Sequence, residues 1–280
     1  MNTLKRIVAA ATLALPWAAQ ATLISYGTVE FVTARLCIAG ASGCDDVSRI
    51  ISSSRGGLPG DAMSSASATF AGFGTAFGSV SLSGVVGAPI LKASATSELG
   101  KRVNTNSIAL QRYTYTGSAP SVRSFGGTLS YSQSLSGDYS GAVGAGINAL
   151  IDIFSLPTAT VDVASAPDAY FNDLFSHELF AGYSEIASSS YQDRSSTSSG
   201  IGTLSVSVAL NPGDTVWVWT LLQTPAANGS AVDASHTLVT AWSNPADLTA
   251  AAVAVPEPAG LGWICLGLAV VGMTRRRQVG

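Results

Sequence analysis

The clearest alternation in the chain runs over 202–210, where Leu204, Val206 and Val208 fall on one side of an extended segment and small polar residues on the other. A period of two with one apolar side is the pattern of a half-buried β-strand. Asn211-Pro212-Gly213-Asp214 follows, a turn in which proline presets φ and Gly or Asp take conformations that other residues avoid. The next segment, 215–222, differs in carrying bulky residues on both sides: Val216, Val218 and Thr220 oppose Trp217, Trp219 and Leu221. A strand covered on both faces belongs in the middle of a sheet. Residues 225–229 read as a loop and 235–242 as a further strand, so the three strands together predict an antiparallel meander.

Earlier strands are expected at 24–34, 79–86, 107–116, 128–135 and 158–163, separated by Ser-, Thr- and Gly-rich turns. One segment departs from the pattern. Over 167–186, Tyr170, Phe171, Leu174, Phe175 and Leu179 recur at spacings of three and four after Pro167 and Asp168, which predicts a short amphipathic helix. Phe70, Phe73 and Phe77 are read as core, on a helical face or in a loop packed on a sheet. The expected fold is mainly β: an antiparallel β-sandwich, with a jelly roll as its specific form, one short helical segment and a C-terminal hydrophobic helix.

Both ends stand apart from this domain. Residues 1–21 carry Lys5 and Arg6, an apolar stretch from Ile7 to Ala19, and Ala19-Gln20-Ala21. That order is a secretory signal peptide cut before Thr22, which implies signal peptidase and the general secretion machinery as partners. The exported body is then 22–254, enough for one large β domain. At the other end, Val255-Pro256-Glu257-Pro258 is followed by uncharged residues from Ala259 to Met273 and by Arg275, Arg276 and Arg277. The two prolines make 255–258 extended. Fifteen helical residues span roughly 22 Å against about 30 Å of hydrocarbon. Thr274 and the arginine stems lengthen the segment to 259–274. The basic end, 275–280, holds the C-terminus on the cytoplasmic side. Gly260, Gly262, Gly267 and Gly272 suit a transient membrane contact better than a permanent one.

This tail, 255–280, resembles the PEP-CTERM sorting signal of diderm bacteria. The resemblance implies that exosortase, a membrane cysteine peptidase, recognises Pro256, Glu257 and Pro258 and that the body is sent to the cell surface or extracellular matrix. It also implies an association with exopolysaccharide and biofilm. An ordinary single-pass anchor is the plainer reading of the same tail.

Charge is modest overall, at −3, but unevenly placed. Residues 22–123 hold eight basic and five acidic side chains, a balance of +3, whereas 124–254 hold eleven acids against Arg194 alone, a balance of −10. Nucleic acid is therefore excluded as a partner of the second half. Cys37 and Cys44, six residues between them, are expected to close a disulfide outside the cytoplasm, contributing at or below about 3 kcal/mol. Cys265 is a small apolar residue of the tail.

No residue pattern declares a reaction. Gly144-Ala145-Gly146-Ile147-Asn148-Ala149 matches a loose dinucleotide pattern but lacks a βαβ setting. A Ser-His-Asp arrangement would need His177, near Asp173 and Glu178, or His236, near Asp233. Asp45 and Asp46 offer carboxylates to calcium without an Asp-x-Asp-x-Asp-Gly loop, and no other metal or cofactor is expected. Trp217, Trp219 and Trp242 are core residues or, if exposed, a stacking platform for sugars. The leading expectation is a non-catalytic surface or matrix component. A carbohydrate-binding module is the alternative and a secreted hydrolase the second.

Overall fold

The computed structural model describes residues 25–36, 50–56, 61–135, 145–156, 182–195 and 197–251. Within them the chain forms β1 (Tyr26–Leu36), β2 (Ile50–Gly56), β3 (Met63–Phe70), β4 (Gly74–Ser81), β5 (Ile90–Ser97), β6 (Lys101–Tyr115) and β7 (Ser121–Ser134). It continues with β8 (Ile147–Ser155), β9 (Ser184–Asp193), β10 (Thr197–Leu210), β11 (Thr215–Ala227), β12 (Ala231–Trp242) and β13 (Leu248–Ala250). All pairings between them are antiparallel. They build two sheets: one in the order β2-β1-β6-β11-β8-β9 with β13 added to β6, the other in the order β10-β7-β12-β5-β4-β3. The protein is mainly β and a β-sandwich.

Alternation explains where the core sits. Val216, Val218 and Leu222 of β11 join Leu91, Leu129, Val206 and Leu238 of the opposite sheet in one apolar cluster between the sheets. Trp217, Trp219 and Leu221 fall on the other face of β11 and join Val29, Ile108, Leu110 and Phe154, all from the same seven-stranded sheet. That sheet is therefore apolar on both faces at its centre, and β11 lies there between β6 and β8, as the sequence predicts. The six-stranded sheet has a single apolar face. In β10 the even-numbered residues from Gly202 to Leu210 are buried and the odd ones exposed.

The expected meander is not formed. β10 and β12 flank β7 in the six-stranded sheet, while β11 crosses to the seven-stranded one. The two-faced apolar character of β11 demands a central position, and neither neighbour in sequence occupies that sheet. The loop expected at 225–229 is shorter as well, since β11 runs through Pro225 to Ala227. The Pro225 carbonyl accepts from Gly146 N at 3.0 Å, on the side where the β8 ladder has ended at Gln223. The missing proline donor thus costs no ladder bond.

Three further expectations change. The strand placed at 79–86 ends at Ser81 and is followed by a 3₁₀ turn, Val85–Gly87, in which Val86 has φ 56°. Phe70 is buried in the core, but Phe77 is 38% exposed, because β3 and β4 form a hairpin in which Phe77 faces outward. Of the helical segment expected over 167–186, residues 167–181 lie outside the described residues, as does the strand expected at 158–163. Residues 184–186 open β9 and are extended, paired with β8. The signal peptide, the cysteines and the tail also lie outside the described residues. Among those described, no helix is long and apolar enough to cross a membrane.

Candidate functional site

The outer face of the seven-stranded sheet gathers aromatic and polar side chains from neighbouring strands. Strand register sets Asp152 of β8 beside Trp219 of β11, which is beside Leu110 of β6. One rung along, Phe154 pairs with Trp217, their rings 6.5 Å apart and within 17° of parallel. Tyr183, just before β9, packs on Phe154 at 5.0 Å and donates its hydroxyl to Asp152 Oδ2 at 2.6 Å. Two rungs the other way, Gln223 Nε2 donates to Asn106 Oδ1 at 2.7 Å. An acid, two amides and four aromatic rings thus share one face. Asp152 is an acid in the middle of an apolar strand, Ile147 to Phe154. That interruption was the available signal for this face, but it does not point to Tyr183 or Asn106.

This face is closed. Trp217 and Trp219 are 2% and 3% exposed and Asp152 is 5% exposed. Trp242 lies in the core between the sheets, buried edge-on against Tyr113 and Phe125 at 5.4 and 5.1 Å. Desolvation pushes the Tyr113 phenol above its ordinary range. The exposed aromatic row required of a sugar-stacking platform is therefore absent at these three tryptophans, and they are core residues. Bulky aromatic rings at period-two spacing in the central strand are used for burial.

A second polar cluster joins the two sheets where β9 crosses to β10. Asp193 Oδ1 accepts from Ser195 N and Ser195 Oγ at 2.8 and 2.5 Å, and Oδ2 accepts from Tyr131 Oη and Ser198 Oγ at 2.5 and 2.8 Å. Burial alone would raise this acid, but the bonds from Ser195 and Tyr131, with those from the Ser195 amide and Ser198, hold it well below the usual carboxylate range. Tyr131 responds in the opposite sense. Desolvation, then its bonds to Asp193 and to Tyr191 at 2.7 Å, raise its phenol well above the ordinary value. Gln133 Nε2 adds a bond to the Ser195 carbonyl at 3.0 Å. Every oxygen of the Asp193 carboxylate is occupied by protein donors, which makes the cluster a latch between sheets.

An open groove of about 360 Å³ lies on the outer face of β3, β4 and β5, lined by Met63, Ser65, Ser79, Ser81, Ile90 and Lys92. It presents hydroxyls on adjacent strands and one ammonium group.

The residues singled out by sequence fare unevenly. Gly144 is outside the described residues, and Gly146, at φ 127°, leads straight into β8. A Cβ on Gly146 would lie 2.3 Å from the Asp193 carbonyl oxygen. The glycine is needed for that close approach, and a strand rather than a helix follows, so the dinucleotide reading fails. Asp233 is hydrogen-bonded through Oδ1 to Ser235 N at 2.8 Å. β12 bulges between Ala234 and Leu238, so the alternation expected from Ser235 onward starts only after the bulge. His177, Asp173, Glu178, Asp45, Asp46, Cys37, Cys44, Pro256, Glu257, Pro258, Arg275, Arg276 and Arg277 lie outside the described residues, as does the His236 side chain. Among the described residues no three His, Cys, Asp or Glu side chains are grouped to hold a metal ion. The acid excess of 124–254 is partly met from the first half, since Arg123 reaches Asp247 at 3.3 Å.

No protein-family model matches this chain. Nor does any curated protein. A solved structure from work on the promiscuous specificity of carbohydrate-binding modules of the β-sandwich superfamily is similar at 14% identity, covering 68% of each chain, with a TM-score of 0.22. An overlap that slight carries no argument about fold or function.

Proposed function

We propose that this chain is an exported surface or matrix protein, delivered by exosortase through its tail, whose β body is a non-catalytic structural or interaction component. The observation that carries the reading is the order of the C-terminus: Pro256-Glu257-Pro258, then the uncharged run from Ala259 to Met273, then Arg275 to Arg277. A leader with Lys5, Arg6 and Ala19-Gln20-Ala21 agrees with it, because an externally presented tail needs an exported N-terminus. Association with exopolysaccharide or biofilm is what the PEP-CTERM resemblance implies for such a body.

The body's proposed specific form is a jelly roll. The eight strands β5 to β12 support this, since β10-β7-β12-β5 and β6-β11-β8-β9 place the last strand between the first and third. A helix within 167–181, on the spacing of its apolar residues, and the tail helix, on its uncharged run, are part of the same proposal.

Intact mass of the protein from producing cells and from their medium, compared with a Glu257→Ala variant, tests the reading. A chain beginning at Thr22, shortened at the tail and no longer shortened in the variant, is the expected result. A chain ending at Gly280 in both samples would refute sorting.

A further inference from the structure

Glu30 is a buried acid that neither the latch nor the aromatic face uses. It lies on β1 with Val32 and Ala34 on the same, inner face and is fully buried between the sheets. Across from it, β4 presents Gly78, where an added Cβ would lie 1.7 Å from Glu30 Oε1. The carboxyl occupies the space of a missing side chain on the opposite sheet. Its one polar partner is Ser107 of β6, whose Oγ lies 3.0 Å from Glu30 Oε1. The same Oγ lies 2.8 Å from the backbone oxygen of Lys92 on β5.

A hydroxyl has one proton to donate, and a backbone carbonyl can only accept. Ser107 cannot donate to both oxygens at once. If it donates to Lys92, the contact with Oε1 needs its proton from Glu30, which only the carboxylic acid can supply. If it donates to Glu30 instead, the 2.8 Å contact with the Lys92 oxygen has no proton, whatever the charge of Glu30, and an ionised Glu30 would sit in the core with a single hydrogen bond. Oε2 has no partner in either arrangement. An ionised carboxylate so placed costs far more than a neutral acid with one unpaired oxygen.

We infer that Glu30 is carried as a neutral carboxylic acid, with Oε1–H donating to Ser107 Oγ and Ser107 donating to Lys92 O, forming a hydrogen-bond chain between the sheets that lasts only while Glu30 keeps its proton.

Among the described residues, the surrounding strands place no charge beside Glu30 to change that outcome. β3 and β4 contain no ionisable residue. On β5 the Lys92 side chain lies on the opposite, exposed face and lines the outer groove. Arg35 of β1 occupies a position of the opposite face by strand alternation. On the inner face, Tyr26 of β1 is two rungs away, and Lys101, Tyr113 and Tyr115 of β6 are three or more. Asp61, ahead of β3, meets β1 through its backbone oxygen, which accepts from Thr28. Burial is the dominant influence and raises Glu30 well above 4.5, with the Ser107 bond a smaller opposing effect.

The consequence has a definite sign. The folded chain binds this proton more tightly than the unfolded chain does. Stability from this group is fully present below about 4.5 and falls as pH rises toward the folded-state pKa. Across that window the unfolding equilibrium constant should climb about tenfold per pH unit. The body therefore contains a device that loosens the contact between sheets as the pH of its surroundings rises.

Two measurements on the full chain test this. The first follows the ¹³Cδ resonance of selectively labelled Glu30 as pH is raised. A protonated-acid shift that persists through pH 7 is expected, and a carboxylate shift at pH 7 would overturn the inference. The second compares denaturant unfolding of wild type and Glu30→Gln across the same range. Gln keeps a donor toward Ser107 without a titrating proton, so the tenfold-per-unit slope should vanish in the variant. Equal slopes would overturn the inference, and if the variant does not fold the wild-type resonance decides alone.

Discussion

Glu30 and Asp193 are both carboxyl groups that join the two sheets, and they are built in opposite ways. Glu30 sits at the middle of the sandwich with one hydroxyl partner and an empty Oε2. Asp193 sits at the rim with four donors on its two oxygens. Hydrogen bonds to an ionised acid favour the charge, while burial without them favours the proton. The same functional group therefore stabilises the core as a neutral acid and the rim as an anion. Number of donors, rather than depth alone, decides which.

The largest expected effect that would break this contrast is at Gly78. Gly78→Val drives a side chain into the space of the Glu30 carboxyl and should destabilise by about 3 kcal/mol. Pairing it with Glu30→Ala should recover a good part of that loss, because the two positions compete for one volume. Additive losses in a denaturant double-mutant cycle would show that the carboxyl does not need the glycine.

Asp193→Ala is expected to come next, at about 2 kcal/mol, since it leaves Tyr131, Ser195 and Ser198 without their charged acceptor. Its pH dependence runs against that of Glu30. Asp193 is held below its ordinary 3.8, so its contribution is fully present above that value and is lost as pH falls through the folded-state pKa. Thermal unfolding across acid pH should show a fall in wild type that is absent in Asp193→Asn. A smaller change, about 1 kcal/mol, is expected for Tyr191→Phe, which removes only the Tyr131 hydroxyl contact. The smallest is Ile201→Thr on the exposed side of β10, 69% exposed, which should stay within about 0.5 kcal/mol. A larger loss there would show that this outer face is covered.

Strand identity was readable where large apolar residues alternate with small polar ones or cover both faces. Leu204, Val206 and Val208 announced β10, and the rings of Trp217 and Trp219 opposite Val216 and Val218 announced a central β11. Less was visible at the start of β6, where Lys101, Arg102, Asn104 and Asn106 hide a strand that is paired on both sides by β1 and β11. Phe77 looked like core because aromatic residues are usually buried, but its place in the hairpin turns it outward. The Asp193 latch was not readable at all. Tyr131 and Asp193 are 62 residues apart in sequence, and only the crossing from β9 to β10 brings them together.

By itself, the chain determined that 202–210 and 215–222 are extended and that the second of them is covered on both faces, because period-two patterning is a local consequence of strand geometry. Tertiary structure alone decided that β10 and β12 flank β7 while β11 crosses to the other sheet. It also decided that Glu30 meets Gly78 and Ser107. Sheet order depends on which faces can be buried together, and the charge of an acid depends on the donors that the folded chain brings to it. Both are set by partners far away in sequence.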